Sequence, residues 1–100
     1  MALPAFLQGL TARDPALAEA VDNLWQVANS GPLDAKTRTL ITMALDCAHG
    51  AAAGVTSLAN QARGLGATDG EIAQTLRLAY LIAGMNPLLT GNAAFRAPGK

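Results

Sequence analysis

The chain has 100 residues, one domain's worth, with seven Lys/Arg balancing seven Asp/Glu for a formal net charge of zero. That balance argues against a nucleic-acid or anionic-membrane binder working through bulk charge. Hydrophobic residues make up 51% of the chain and charged residues only 14%, which argues against disorder.

Further classes fall on composition. One cysteine, Cys47, excludes an intramolecular disulfide and a multi-cysteine zinc site. One histidine, His49, argues against a histidine-based metal centre, and no cofactor is expected. There is no run of eighteen apolar residues, so no spanning helix is expected. The opening MALPAFLQGLTARD lacks a basic start and a cleavage site, so a soluble cytoplasmic protein is expected. Alanine, about a fifth of the chain, buries little area per residue, and a domain this small is marginal alone. An oligomer would supply the missing buried area.

In chain order, a short helix is predicted at about Ala5 to Leu10. Asp14-Pro15 reads as an N-cap followed by proline at the first helical position. Leu17, Val21, Leu24 and Ala28 then form one stripe of a second helix, stopped by Ser30-Gly31-Pro32. Trp25 reads as a core or interface anchor.

Asp34 caps a third helix, whose core stripe reads as Thr37, Leu40, Ile41, Ala44 and Ala48. Thr39, Met43 and Asp46 point away from it, and the apolar Met43 suggests a second contact surface. Gly50 and Gly54 weaken a continuous helix by about 1 kcal/mol each, so a break is placed near Gly50. A fourth helix turns Val55, Leu58, Ala59 and Ala62 inward and ends at Gly64 to Gly66.

Thr68 and Glu71 match a capping box at the start of a fifth helix, with Ile72, Leu76, Ala79 and Ala83 as its stripe. From Leu78 to Met85 the apolar residues run right round that helix, as in one buried on more than one side. Asn86-Pro87 is read as the cap of a last short helix, Pro87 to Phe95, before a frayed tail from Arg96 to Lys100. The whole reads as a single all-α domain over residues 1–100, a compact bundle of about five to six helices.

Few side chains offer chemistry. Cys47 and His49 lie two apart on one helix, about 200° round it, so they do not face each other. The plain reading of Cys47 is a small buried hydrophobe at a stripe edge. That of His49 is a polar residue at a helix C-terminus. Arg38, Arg63 and Arg77 have the geometry to clamp a carboxylate or phosphate, but read first as solvated helix faces. Tyr80, inside the most apolar helix, needs a partner for its hydroxyl. Gly64-Leu65-Gly66 follows no strand and is no phosphate loop.

Two stretches carry a family likeness. Leu33-Asp-Ala-Lys36-Thr-Arg38-Thr-Leu40-Ile41 is similar to a helix opening of the carboxymuconolactone decarboxylase / alkylhydroperoxidase-D-like family. Gly64-Leu-Gly66-Ala-Thr68-Asp-Gly-Glu71-Ile72, continued by Ala79 to Pro87, resembles its second signature. The resemblance covers about residues 32–95. It implies an alkylhydroperoxidase-D-like all-α fold and assembly into trimers or hexamers.

The redox branch of that family uses a Cys-x-x-Cys, a histidine four residues on, and a glutamate on the preceding helix. By the resemblance these positions hold Ala51, Gly54, Leu58 and Thr39, so the family site reads as degenerate. Leu58 is expected to be largely buried against the third and fifth helices. The leading expectation is a homo-oligomeric, non-redox binding or structural module. The alternative is a lactone decarboxylase or related small-molecule enzyme using His49 or an arginine at a subunit interface. A third reading is a thiol peroxidase acting through Cys47 alone. The partners expected are further copies of the chain and a small apolar or carboxylate ligand, with no nucleic acid and no membrane.

Overall fold

The computed structural model describes residues 7–96, and among them every regular element is helical. The helices are α1 (Leu10–Arg13), α2 (Pro15–Ala28), α3 (Ala35–Ala48), α4 (Ala52–Gly64), α5 (Asp69–Ala83) and α6 (Met85–Gly91). A 3-10 turn, Asn92–Phe95, follows α6. The chain divides between Pro32 and Leu33 into two compact units.

The first unit holds α1 and α2. Asp14 ends α1 and begins α2, its carboxylate accepting from Leu17 N at 3.1 Å ahead of Pro15 at the first helical position. This cap satisfies one of the backbone donors that a helix start leaves open. Leu10 and Ala18 are buried, whereas Leu17 and Leu24 of the expected stripe are exposed. The first α-helix among the described residues is Leu10–Arg13; of the predicted Ala5 to Leu10 segment, Ala5 and Phe6 lie outside the described residues.

The second unit is built on α3. Asp34 caps it through Thr37 N at 2.7 Å. Its buried face is Met43 and Cys47, with Leu40 and Ala44 packed beside them, against α4, α5 and α6. This corrects the stripe read from the sequence: Met43 points into the core and Ile41 is exposed. The cause is that α3 carries apolar residues on most of its circumference, so periodicity alone does not choose a face. Three packed neighbours do.

Two glycines turn the chain. Gly50, at φ +78°, lets α3 end at Ala48 and α4 begin at Ala52, the predicted break. Gly84, at φ +89°, separates α5 from α6 in one residue. L side chains rarely adopt such φ values, which makes glycine the economical residue at both corners. The last helix therefore starts at Met85 rather than at an Asn86 cap, and passes into the 3-10 turn after Gly91. Of the expected frayed tail, residues 97–100 lie outside the described residues.

α4 buries Val55, Ala59 and Ala62; α5 buries Ile72, Leu76 and Ala79; the C-terminal turn adds Ala93 and Ala94. Ala83, expected on the α5 stripe, is exposed. The capping box at α5 is complete: Thr68 Oγ1 accepts from Glu71 N at 3.1 Å, and Glu71 Oε1 accepts from Thr68 N at 2.9 Å. The same Glu71 carboxylate accepts from Lys36 Nζ at 2.9 Å, tying the start of α5 to the start of α3. Thr56 Oγ1 donates to Ala93 O at 2.8 Å and holds the C-terminal turn on α4.

Packing is tight where Tyr80 crosses Gly91. A Cβ on Gly91 would lie 3.1 Å from two Tyr80 ring carbons and closer still to its hydroxyl oxygen. A rigid ring cannot yield as a flexible side chain does. Gly91→Ala is therefore expected to destabilise the protein by about 1–3 kcal/mol, as overpacked cores do. In a denaturant double-mutant cycle with Tyr80→Ala, most of that loss should disappear. Equal losses in both backgrounds would show that this contact is not the cause.

The Lys36–Glu71 pair makes stability depend on acid. Glu71 is held below the ordinary carboxylate range, first by Lys36 and then by Thr68 N. A lowered folded-state pKa means that this contribution is full above the unfolded value, about 4.3. It is lost as pH falls from there through the lowered value. Glu71→Gln keeps an amide for the capping box and removes the titrating group. Its unfolding free energy should fall less steeply below about pH 5 than that of the parent; parallel acid limbs in urea titrations would refute this.

Candidate functional site

Of the residues singled out by chemistry, Cys47 and His49 lie at the end of α3 and Ala51 and Gly54 at the start of α4, while Arg38, Arg63, Arg77 and Tyr80 lie elsewhere on α3, α4 and α5. Cys47, in the last turn of α3, is buried as the sequence suggests, and it lies on the helix's buried face with Met43 rather than at the edge of a stripe. Its Sγ donates to Pro87 O at 2.9 Å, so the thiol spans from α3 to α6. Burial pushes the Cys47 thiol up from its ordinary value, because a thiolate there would lose its hydration. Tyr80 is raised for the same reason, with the neighbouring Cys47 adding to it.

His49 is the C-cap of α3 and is exposed. Its Nδ1 lies 2.8 Å from Leu45 O. A carbonyl only accepts, so Nδ1 carries the proton and donates to its own helix. The expected placement at a helix C-terminus holds, and His49 and Cys47 make separate contacts.

The four positions assigned by the resemblance lie on α3 and α4. Thr39 Oγ1 donates to Ala35 O at 2.8 Å within its own helix. Ala51 is exposed and is the N-cap of α4, with no side-chain cap bond. Gly54, in the first turn of α4, is covered by Asp46 from α3. A Cβ there would lie 3.0 Å from Asp46 Cγ and nearer to Oδ2. Leu58, one turn on, is half-buried and packs on the core, less enclosed than the sequence suggests.

The arginines are engaged locally or exposed. Arg38 donates to Leu33 O at 3.0 Å. Arg63 donates to Asp69 at 3.0 Å and to Asn60 at 3.3 Å, and its guanidinium stands 5.8 Å from the Phe95 ring centre. Arg77 is exposed on α5. In the first unit, Trp25 is half-buried and its carbonyl accepts from Asn29 Nδ2 at 2.9 Å. Among the described residues no three His, Cys, Asp or Glu side chains group to hold a metal ion. None of the described helices is long and apolar enough to cross a membrane.

Two features of this region escape the sequence reading. Asp46 is read there as pointing away, yet it fills the space beside Gly54. Pro87 is read as a helix opener, yet its carbonyl receives the thiol. A glycine in the first turn of a helix is the available sign of the first, since a helical glycine can mark a close packing approach. The second has no local sign, because the partners are 40 residues apart.

The fold and this region define an all-helical protein with a lone, protonated cysteine sealed between two helices. A family model described as carboxymuconolactone decarboxylase matches residues 15–97, and the chain belongs to that family. The match begins at α2, so it reaches further towards the N-terminus than the two stretches that carry the likeness. No curated protein and no solved structure matches the chain.

The environment of Cys47 sets its reactivity. In the native protein a thiol-disulfide reagent should titrate no cysteine over minutes at pH 8, and one per chain after unfolding in guanidinium. Immediate stoichiometric reaction of the native protein would show that the thiol is open to solvent.

Proposed function

We propose that this chain is a non-redox member of its family, a binding or structural module assembled from several copies of itself. The observation that carries the reading is the state of Cys47. Its Sγ–H is committed to Pro87 O and its pKa is raised by burial. Thiol peroxidases and disulfide reductases work through a thiolate and need something to reduce the oxidised product. A single cysteine offers no resolving partner. By the resemblance, Ala51 and Gly54 stand where the reactive pair would be, and Leu58 where a proton-handling histidine would be. The ligand class that suits an uncharged, leucine-rich and alanine-rich surface is small and apolar, or a carboxylate where an arginine borders it.

A second reading has one observation in its favour. The Nδ1–H bond from His49 to Leu45 O selects the tautomer in which Nε2 is the basic nitrogen. An exposed imidazole of that kind is suited to general-base work in a lactone decarboxylase or a related small-molecule enzyme.

Steady-state hydroperoxide consumption with a dithiol reductant tests the leading reading. The expected rate is that of buffer alone, unchanged by Cys47→Ser. Turnover that Cys47→Ser abolishes would overturn it. Turnover of a lactone substrate lost in His49→Ala would favour the second reading instead.

A further inference from the structure

We propose that the Asp46 carboxylate anchors a binding site on the seam between α3 and α4, and that its ligand is a small organic cation, a primary ammonium carrying a short apolar body. The proposal rests on the binding part of the reading above and names the polar end of the ligand at this one place.

Asp46 is the only Asp, Glu, Lys or Arg between Arg38 and Arg63, a span that takes in most of α3 and α4. It is half-buried and leans across onto the first turn of α4, where a Cβ at position 54 would lie 3.0 Å from its Cγ. Alanine is the better helix residue, and it fills the three positions before Gly54. The glycine is what makes room for the carboxylate. Nothing in the chain takes up the charge in return. Among the described residues the Asp46 side chain accepts no hydrogen bond and forms no ion pair. The donors nearest to it along α3 are spent elsewhere: Thr42 Oγ1 donates to Arg38 O and His49 Nδ1 to Leu45 O, each at 2.8 Å. Arg38 donates to Leu33 O, and Arg63 to Asp69 and Asn60. Neither Asp46 oxygen is sealed off, since the one enclosed side-chain oxygen or nitrogen without a partner among the described residues is Asp22 Oδ1. An incoming donor therefore has access.

The chemistry of the place selects the ligand. A carboxylate with open acceptor sites takes a donor, and an ionised donor makes the strongest bond to it. Among the described residues no Lys or Arg pairs with Asp46 to draw an anion there. One carboxylate supplies too few oxygens for calcium or magnesium, and no three His, Cys, Asp or Glu side chains group among the described residues. Ala51 and Leu58 share the face of α4 that carries Gly54, at i−3 and i+4, with Leu58 half-buried. They offer aliphatic surface on either side of the glycine for the carbon chain of an alkylammonium.

Titration of the isotope-labelled full chain with n-butylammonium chloride, at neutral pH and constant ionic strength, tests the site by NMR. The Gly54 amide and the Asp46 carboxyl carbon should shift along one saturable isotherm. Asp46→Asn keeps the size of the side chain and removes its charge, and it should weaken binding about tenfold. n-Butanol, with the same carbon chain and no charge, should bind about tenfold more weakly than the ammonium. Equal binding of n-butanol, or an unchanged affinity in Asp46→Asn, overturns the cation site and leaves the non-redox reading standing. That reading fails separately, in the hydroperoxide assay, which this titration does not touch. If Asp46→Asn does not fold, the carboxyl carbon of the parent decides. A resonance that follows the isotherm of the Gly54 amide supports the site. A resonance that stays in place, or the absence of any saturable shift, overturns it.

Discussion

Close approach of helices that carry little side-chain bulk is the constraint on which the second unit depends. Its core holds four large side chains that are fully enclosed, Met43, Ile72, Leu76 and Val55, and a larger number of alanines. An alanine contributes little by transfer from water, so its value lies in letting backbones come near enough for many weak contacts. α3 packs on α4 and the C-terminal turn packs on α4, in a core cluster that includes Val55, Ala59, Ala93 and Ala94. The same closeness presses Tyr80 onto Gly91 and Asp46 onto Gly54.

That packing decides the chemistry at the end of α3. A cysteine in the last turn of a helix would be open to reagents if α6 stood away from it. Here α6 starts one residue after α5, because Gly84 takes a φ of +89°. The short connection brings Pro87 O over the thiol and closes it off. Asp46, one residue before Cys47, is directed to α4 instead, where it occupies the space that a side chain at position 54 would need. A thiolate site requires an open, electropositive setting. The region has the reverse: a sealed thiol, an acidic neighbour on the same turn, and a histidine bonded to its own helix.

The small core also explains the apolar exterior. A chain of this length shields only about 60–65% of its unfolded surface when it folds. With so much of its apolar content in alanine, the large aliphatic residues that remain are divided between the core and the outer faces of α2, α3, α5 and α6. The stretch from Leu78 to Phe95 concentrates them without a single charge, a pattern that solubility alone would not favour.

Much of the local structure was legible in the sequence, since its signals act within a few residues. Asp14, Asp34 and Thr68 with Glu71 cap their helices as their side chains dictate. Gly50 breaks the chain where two nearby glycines weaken a helix, and the all-α class and the family follow from the same short-range patterns. What only the tertiary structure decided lies further apart in the chain. α3 is apolar on most sides, so the burial of Met43 in place of Ile41 was settled by neighbours that periodicity does not see. The pairing of Cys47 with Pro87, of Lys36 with Glu71 and of Asp46 with Gly54 joins different helices. Hydrogen-bonding capacity belongs to a residue and can be read from its type; the partner that takes it up is set by packing, which no single helix contains.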